Sequence, residues 1–239
     1  MQTINNNKDI IIGDVHGCLN ELKILIDKLN LSSEDNLYFI GDIIDRGADT
    51  IGTIKYIFEL SKNINVQLIL GNHEEKFLRY LDKKKELNNG LFNSYKSLLT
   101  NDEIEFLKKS YYNYYIKNHD VMLMHGGYLK KIKLSKKVNN LYIDRKHQHF
   151  SLLTMVRYID PKGGFIELFN NDENSSFWAE KYDGEIGTII FGHNSFLQDS
   201  PQFFKHAIGI DTGCVYGGWL TALILDEPGA ISHISVKFK

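Results

Sequence analysis

Short apolar runs that end in a glycine beside Asp, Asn or His recur along the chain. In the first, Ile10–Ile12 precedes Gly13-Asp14, and apolar residues then recur at helical spacing as far as Leu29. The same order of strand, loop and helix follows twice more, from Leu37 and from Val66. Three successive units of this kind predict parallel strands with helices packed against them.

The pattern changes in the second half of the chain. Apolar runs that end at Met124, Phe191 and Ile210 again precede polar residues, but no clear helical pattern follows them. The runs Trp219–Leu225 and Ile231–Phe238 flank a turn sequence and predict a pair of strands, which gives the sheet an antiparallel edge. The sequence therefore predicts an α/β protein with a mixed sheet.

The polar residues that follow these strands are candidates for one shared site. In open α/β sheets, ligands bind beyond the carboxyl ends of the strands, where loops from separate strands converge. The side chains brought together there are metal ligands in type: Asp14, His16, Asp42, Asn72, His125 and His193. Nitrogen and oxygen donors without thiolate favour catalytic Mn, Fe or Zn.

Six such residues exceed what one catalytic ion needs. If Asp42 bridges two ions, each ion keeps open positions for water and for substrate oxygens. Two cations stabilise hydroxide near neutral pH and neutralise the charge of a phosphoryl group. The pattern therefore predicts a two-metal hydrolytic site.

Composition narrows the function classes. The 239 residues carry 28 Lys+Arg against 30 Asp+Glu, so no basic field favours nonspecific nucleic-acid binding. No apolar run approaches the roughly 18–20 residues that span a bilayer, and the N-terminus lacks the apolar segment of a secretory signal. We therefore expect a cytoplasmic protein without membrane contact. The Lys- and Asn-rich stretch Asp82–Asn93 is predicted to be an exposed loop.

The length favours a single domain over residues 1–239. Within it, residues 82–118 and 128–182 are expected to form variable segments that face the substrate. Cys18 and Cys214 are too few for a disulfide framework and are predicted to be small buried side chains.

Three motifs resemble the signatures of calcineurin-like metallophosphoesterases of the phosphoprotein phosphatase branch: GDVHG at 13–17, GDIIDRG at 41–47 and GNHE at 71–74. Their order and spacing, 28 residues from Asp14 to Asp42 and 30 from Asp42 to Asn72, are more specific than any single motif. His125-Gly126-Gly127 and Gly192-His193 resemble the last two ligand motifs of the family.

The resemblance implies a fold and a metal centre. The family fold is an αββα sandwich of two mixed β-sheets flanked by helices. One ion would be held by Asp14, His16 and Asp42, and the other by Asp42, Asn72, His125 and His193. Manganese is the expected metal, with iron and zinc as alternatives.

The resemblance also implies catalytic roles. His73 matches the residue that protonates the leaving oxygen, with Asp45 orienting its imidazole. Arg46 matches a phosphate-binding arginine, whose planar fork suits two phosphoryl oxygens. For the second such arginine the chain offers Arg145 and Arg157, and we favour Arg157 because it lies in a better-defined segment.

The segment IDTGCVYGG at 210–218 resembles the ending of bacterial members, including some that act on nucleotides or RNA ends. Within it, Asp211 is predicted to contribute to the substrate site; the alternative is a turn cap. This ending differs from that of the usual protein phosphatases.

Together these features predict an enzyme that hydrolyses phosphomonoesters, of the serine/threonine protein phosphatase type, by attack of a metal-bridging hydroxide. Its partner would be a phosphorylated substrate, either a phosphoprotein or a nucleotide. The alternative is hydrolysis of dinucleoside polyphosphates or of phosphorylated nucleic-acid ends on the same core. A remote alternative is a non-catalytic metal-binding scaffold, against which the presence of every ligand and of His73 argues.

Overall fold

Two stacked β-sheets form the centre of the molecule, as seen in a computed structural model that describes residues 7–82, 90–136, 138–142, 148–227 and 229–239. The strands are β1 (Asp9–Ile12), β2 (Asn36–Phe39), β3 (Asn65–Leu68), β4 (Tyr111–Ile116), β5 (Val121–Leu123), β6 (Asn140–Leu141), β7 (Tyr158–Ile159), β8 (Phe165–Ile166), β9 (Ser176–Phe177), β10 (Thr188–Phe191), β11 (Gln202–Phe203), β12 (Ala207–Gly209), β13 (Trp219–Leu225) and β14 (Ile231–Lys237). The α-helices of the described residues are α1 (Leu19–Leu29), α2 (Thr50–Leu60), α3 (Asn72–Asp82), α4 (Gly90–Leu98), α5 (Asn101–Lys108) and α6 (Trp178–Lys181).

The first sheet has the order β14-β13-β1-β2-β3. Its strands β1, β2 and β3 are parallel, as the three strand-and-helix units predict. The C-terminal strand β13 pairs antiparallel with β1, and β14 closes that side as the predicted antiparallel edge. This arrangement places the loops after β1 and β2 side by side.

The second sheet has the order β11-β12-β10-β5-β4-β6. Its centre is parallel, because β10 pairs with both β5 and β12 in that sense. The strands β4 and β11 add antiparallel pairings on either side. Both sheets are therefore mixed, and the predicted αββα sandwich is confirmed.

The side chains of β1 show how the two layers are joined. Ile11 packs between the sheets with Leu123 and Ile190, whereas Ile10 and Ile12 face the opposite way, into the apolar cluster that includes Leu22 and Leu25 of α1. Because β1 is covered on both faces, its sequence is a continuous apolar run rather than an alternating one.

One prediction about the surface is wrong. Residues 90–93 of the proposed loop Asp82–Asn93 belong to α4, while residues 83–89 lie outside the described part of the chain. The helix forms because Phe92 and Tyr95 pack against Phe77 of α3. Their ring centroids lie 5.4 Å and 5.7 Å, respectively, from that of Phe77. Tertiary packing thus overrides a composition that is locally polar.

The segment 128–182 contains short elements that the apolar pattern does not indicate. It includes a small sheet of order β8-β7-β9, and Trp178 of α6 packs edge-on against Phe191 of β10 at 4.9 Å. Cys18 and Cys214 are both buried. In the part of the chain that the structure describes, no helix has the length and apolar character needed to cross a membrane.

Candidate metal centre and active site

The loops at the carboxyl ends of four central strands bring the predicted ligands together. Asp14 and His16 follow β1, Asp42 follows β2, His125 follows β5, and His193 follows β10. Asn72 begins α3, and its Oδ1 lies 3.3 Å from Nε2 of His125. Strands from both sheets therefore contribute to one site.

Asp42 lies at the centre of this group. Its Oδ2 is 3.5 Å from Nε2 of His16 and 3.3 Å from Nε2 of His125. Two clusters of possible ligand atoms, each within 4.8 Å, share this residue: one with His16 and His73, the other with His125 and His193. A carboxylate common to two clusters is the arrangement expected of a group that bridges two cations.

The imidazoles are held with Nε2 facing Asp42. Nδ1 of His16 lies 2.9 Å from the carbonyl oxygen of Ile44, and Nδ1 of His125 lies 2.9 Å from that of Ile40. A backbone carbonyl that accepts from Nδ1 leaves Nε2 as the metal-binding atom. Burial lowers the pKa of His16 to about 4, so its ring is neutral and able to ligate at neutral pH.

Asp14 gives an independent test of whether the residues fit a cation. Its Oδ2 accepts from the backbone N of His193 at 3.0 Å, but its buried Oδ1 has no hydrogen-bond partner among the described residues. Burial, with the charges of Asp211 and Asp42, raises the pKa of Asp14 well above its usual range. A buried carboxylate oxygen without a partner is costly, and a divalent cation would satisfy it. The donor set therefore fits divalent metal ions.

Glycine at position 192 permits this close approach between the two sheets. A Cβ at Gly192 would lie 2.1 Å from Oδ1 of Asp14. Several non-glycine residues at the site also have left-handed backbone conformations: His16, Asp42, Asp45, Arg46 and His193, with φ between 46° and 68°. Such conformations cost of order 1–3 kcal/mol each and cluster at functional sites, where they fix side-chain direction.

Glu74 joins two of the ligand loops, a role that the sequence motif alone does not reveal. Its buried carboxylate accepts from the backbone N of Asp42 at 2.9 Å, of Ile44 at 3.1 Å and of Gly71 at 3.1 Å. Burial and the neighbouring charge of Asp42 raise its pKa to about 7. Glu74 therefore locks the loop after β2 to the start of α3.

We expect Glu74→Gln to destabilise the fold by about 2–4 kcal/mol and to weaken metal binding, because an amide accepts on one oxygen only and presents N–H groups to backbone N–H groups. Urea denaturation and metal titration of the variant would measure both effects. Glu59→Gln, which breaks an exposed ion pair with Lys62, is the matched control and should cost less than about 1 kcal/mol. Equal midpoints for the two variants would contradict the proposed role of Glu74.

The imidazole of His73 contacts Asp45 on one side and faces the candidate site on the other, where it belongs to the cluster with His16 and Asp42. Its Nδ1 is 2.6 Å from Oδ2 of Asp45, while its Nε2 faces the site, 3.9 Å from Oδ2 of Asp42. Burial lowers the pKa of His73, but the bond to Asp45 and the charge of Asp42 outweigh it and raise the pKa. This is the orientation that the sequence predicts for a general acid, although the role itself stays a prediction.

Tyr95 of α4 extends this pair. Its hydroxyl donates to Oδ1 of Asp45 at 2.8 Å, and the backbone N of Asp45 donates to Oγ1 of Thr50 at 2.9 Å. The carboxylate of Asp45 is therefore held on both oxygens, Oδ1 by Tyr95 and Oδ2 by His73. The backbone of Asp45 has a φ of 66°. No motif in the sequence links position 95 to position 45, because the contact depends on how α4 packs.

Replacing Tyr95 with phenylalanine should lower kcat roughly tenfold, because a hydrogen bond to a charged group is worth about 1.5–3 kcal/mol and its loss frees Asp45 to rotate. Metal content should stay unchanged. Steady-state kinetics and elemental analysis test this, with Tyr80→Phe as a control that removes the hydroxyl bonded to Asn93 instead. If Tyr95→Phe is as active as the control, the hydrogen bonds that link Tyr95, Asp45 and His73 do not contribute to catalysis.

Two arginines approach the candidate site. Nη1 of Arg46 is 3.4 Å from Nε2 of His16. Nη1 of Arg157 donates at 2.8 Å to Oδ1 of Asn194, the residue after His193. The structure therefore brings Arg157 to the site, whereas Arg145 lies outside the described residues.

Asp211 is buried behind the ligand loops. Its Oδ2 accepts from Oγ of Ser195 at 2.7 Å and its Oδ1 from the backbone N of Gly213 at 2.9 Å. These bonds brace the loop after His193 against the loop that begins at Gly213. Contact of Asp211 with substrate stays a prediction.

An αββα sandwich whose loops place imidazoles and carboxylates around a shared aspartate defines a metal-dependent phosphoric ester hydrolase. Among these hydrolases, the calcineurin-like phosphoesterases use a dinuclear centre of divalent metals. The chain belongs to the calcineurin-like phosphoesterase family, whose model matches residues 10–194, and the predicted resemblance is confirmed.

Curated relatives match over nearly their whole length. The chain is 33% identical to the asymmetrical bis(5′-nucleosyl)-tetraphosphatase PrpE of Oceanobacillus iheyensis, covering 94% of this chain and 91% of that one. It is 30% identical to the protein of the same name from Bacillus anthracis, covering 96% and 97%.

Solved structures show the same architecture. A crystal structure provisionally named as a diadenosine tetraphosphatase aligns with a TM-score of 0.75 at 28% identity, covering 99% of this chain and 96% of that one. A cold-active protein-tyrosine phosphatase of Shewanella aligns with a TM-score of 0.63 at 22% identity, covering 98% and 80%. The second likeness shows the fold alone.

Proposed function

We propose that this protein hydrolyses bis(5′-nucleosyl) tetraphosphates. The observation that carries the proposal is the match to relatives named for that activity, which covers 94–96% of this chain and is therefore not confined to the metal motifs. The protein phosphatase activity that the sequence predicts lacks comparable support, because the structures of protein phosphatases resemble this chain only at the level of fold. The alternative reading of the sequence is therefore favoured.

The ligand residues named above would hold two divalent cations, for which we propose manganese. When bound, the cations lower the pKa of water and neutralise negative charge on the phosphate chain. The set Asp14, His16 and Asp42 would hold one, and the set Asp42, Asn72, His125 and His193 the other. Asp42 is buried, and its backbone N donates to the carboxylate of Glu74. Because Asp42 belongs to both sets, its position determines how far apart the two cations would lie.

The remaining residues act on the substrate. Arg46 and Arg157 would bind oxygens of the phosphoryl group that is attacked, and their planar guanidinium groups hold it in one orientation. His73 would donate its Nε2 proton to the departing phosphate oxygen. Asp45 keeps the Nδ1 proton engaged, so that only Nε2 is free to donate.

A substrate panel with saturating Mn tests the proposal. It compares diadenosine tetraphosphate, phosphoserine and phosphotyrosine peptides, and 5′-triphosphorylated RNA, with products resolved by chromatography. We expect diadenosine tetraphosphate to have the highest kcat/KM and to yield ATP and AMP, the asymmetrical products. A dominant phosphopeptide would contradict the proposal, and symmetrical cleavage to two ADP molecules would contradict the asymmetrical position of attack.

A further inference from the structure

Tyr216 is an exposed aromatic residue at the mouth of the candidate site. It lies in a tight loop in which Gly213 and Gly217 have φ of 75° and 82°. The backbone N of Tyr216 donates to the carbonyl oxygen of Gly213 at 3.0 Å, and Nζ of Lys237 donates to that of Gly217 at 2.8 Å. The loop is therefore well held, yet 54% of Tyr216 remains exposed to solvent.

The contact that this ring makes is with Arg46. The guanidinium donates through Nη1 to the hydroxyl of Tyr216, and its Cζ lies 5.4 Å from the ring centroid. The same Nη1 is 3.4 Å from Nε2 of His16, so Arg46 connects the metal-ligand cluster to the exposed ring. If Arg46 binds a phosphate, the group attached to that phosphate would lie close to the aromatic ring of Tyr216.

A cavity of about 530 Å³ adjoins Arg46. Residues 17–21 and 46–49 form two of its walls, and Val215, the neighbour of Tyr216, contributes to a third. This volume lies within the range of small-molecule sites, roughly 300–1,000 Å³. The carboxylates of Glu21 and Asp49 also line it, together with Phe238 and Lys239. One oxygen of each carboxylate accepts from a backbone N, that of Lys239 or of Gly52, and the second oxygen supplies an acceptor for a hydroxyl or amino group.

We infer that Tyr216 and this cavity form a nucleoside subsite: the ring of Tyr216 stacks on a nucleobase of the substrate, and the cavity receives the attached sugar and base edge. The inference rests on the proposed function and assigns one end of its substrate to named residues. Every base offers a flat face for stacking. The hydroxyl groups of the sugar and the amino group of a base match the carboxylate oxygens of Glu21 and Asp49. The subsite favours nucleotides over polyphosphates that lack a base. The metal centre and the arginines contact only phosphate groups, so they do not distinguish the two.

Two compounds, one with nucleobases and one without, distinguish stacking by Tyr216 from a role of Tyr216 in positioning Arg46. We compare KM for diadenosine tetraphosphate with the inhibition constant of inorganic tripolyphosphate, in excess Mn, for Tyr216→Ala, Tyr216→Phe and Ala48→Trp. Stacking on an aromatic side chain predicts that Tyr216→Ala raises KM at least about fivefold relative to the inhibition constant. Tyr216→Phe keeps the ring and should retain the wild-type ratio. Ala48 is exposed and lines the cavity, so Ala48→Trp narrows the cavity and should raise the ratio without loss of the fold.

Two results would overturn the inference: an unchanged ratio of KM to inhibition constant in Tyr216→Ala, which makes the ring a support for Arg46 alone, or an unchanged ratio in Ala48→Trp, which leaves the cavity without a part in binding the nucleoside. The wild type reports on the proposed function separately. If it does not turn over diadenosine tetraphosphate, the proposed function fails and the subsite with it; if it does and the ratios stay constant, only the subsite fails.

Discussion

Asp42→Asn should deplete metal from both positions of the candidate centre and lower turnover by more than the roughly 10–100-fold lost when a residue behind a metal ligand is changed. The reason is that Asp42 is shared by both clusters of ligand atoms. The imidazoles of His125 and His16 outweigh the effect of burial and keep its pKa well below the usual range, so the native group is an anion. A neutral amide of the same shape cannot offset two cations.

His193→Ala is the matched comparison, because His193 belongs to one cluster only. Elemental analysis of both purified variants against the wild type measures the metal lost, and circular dichroism checks that the fold is retained. We expect Asp42→Asn to approach zero ions per chain and His193→Ala to keep about one. Equal metal content in the two variants would show that Asp42 does not bridge.

His73→Ala should lower kcat on phenyl phosphate by roughly 10²–10⁴-fold, the usual contribution of a general acid, but should lower it far less on 2,4-dinitrophenyl phosphate. The dinitrophenolate is a much weaker base and departs without a proton. The geometry supports this split, since Nδ1 is engaged by Asp45 at 2.6 Å and Nε2 faces the metal-ligand cluster.

The aryl series is a sharper test than the proposed nucleotide substrate, because a departing phosphate oxygen is itself a weak base. His119→Ala is a suitable control: that imidazole pairs with Asp9 at 3.1 Å, outside the candidate site. Equal losses of kcat on both esters in His73→Ala would assign His73 to binding or to the metal centre instead of to proton donation.

The sequence predicts the centre of this molecule well for a physical reason. The strand β1 is buried on both faces and β2 nearly so, and each contains an apolar run that can be recognised without knowing its neighbours. The strand β3 alternates instead, with Val66 and Leu68 buried and the intervening Gln67 only partly so. Their polar loop residues converge because parallel strands end at the same edge. Spacing along the chain therefore translates directly into proximity in space.

Other features depend on contacts that no local pattern encodes. The helix α4 exists where the composition indicates a loop, because Phe92 and Tyr95 pack on Phe77. The clamp of Glu74 and the hydrogen bond from Tyr95 to Asp45 follow from that packing and from loop geometry. In the sequence, Glu74 in the first turn of α3 cannot be distinguished from the acidic residues that commonly stabilise the N-terminus of a helix.

The substrate was the less predictable part of the function. Motifs that hold the metals and the attacked phosphoryl group serve any phosphate ester, so they do not distinguish a phosphoprotein from a nucleotide. The feature of the sequence that favours nucleotides is the segment 210–218, which contains Tyr216 and resembles the ending of family members that act on nucleotides. In the structure this segment borders Arg46, where the rest of the substrate would lie.

Anomalous diffraction from crystals grown with saturating Mn tests the central claim most directly. We expect two manganese peaks about 3.5–4 Å apart, one on each side of the Asp42 carboxylate, with the imidazole Nε2 atoms of His16 and His125 facing different peaks. The absence of manganese from this group of residues, or a single peak that Asp42 does not contact, would contradict the account.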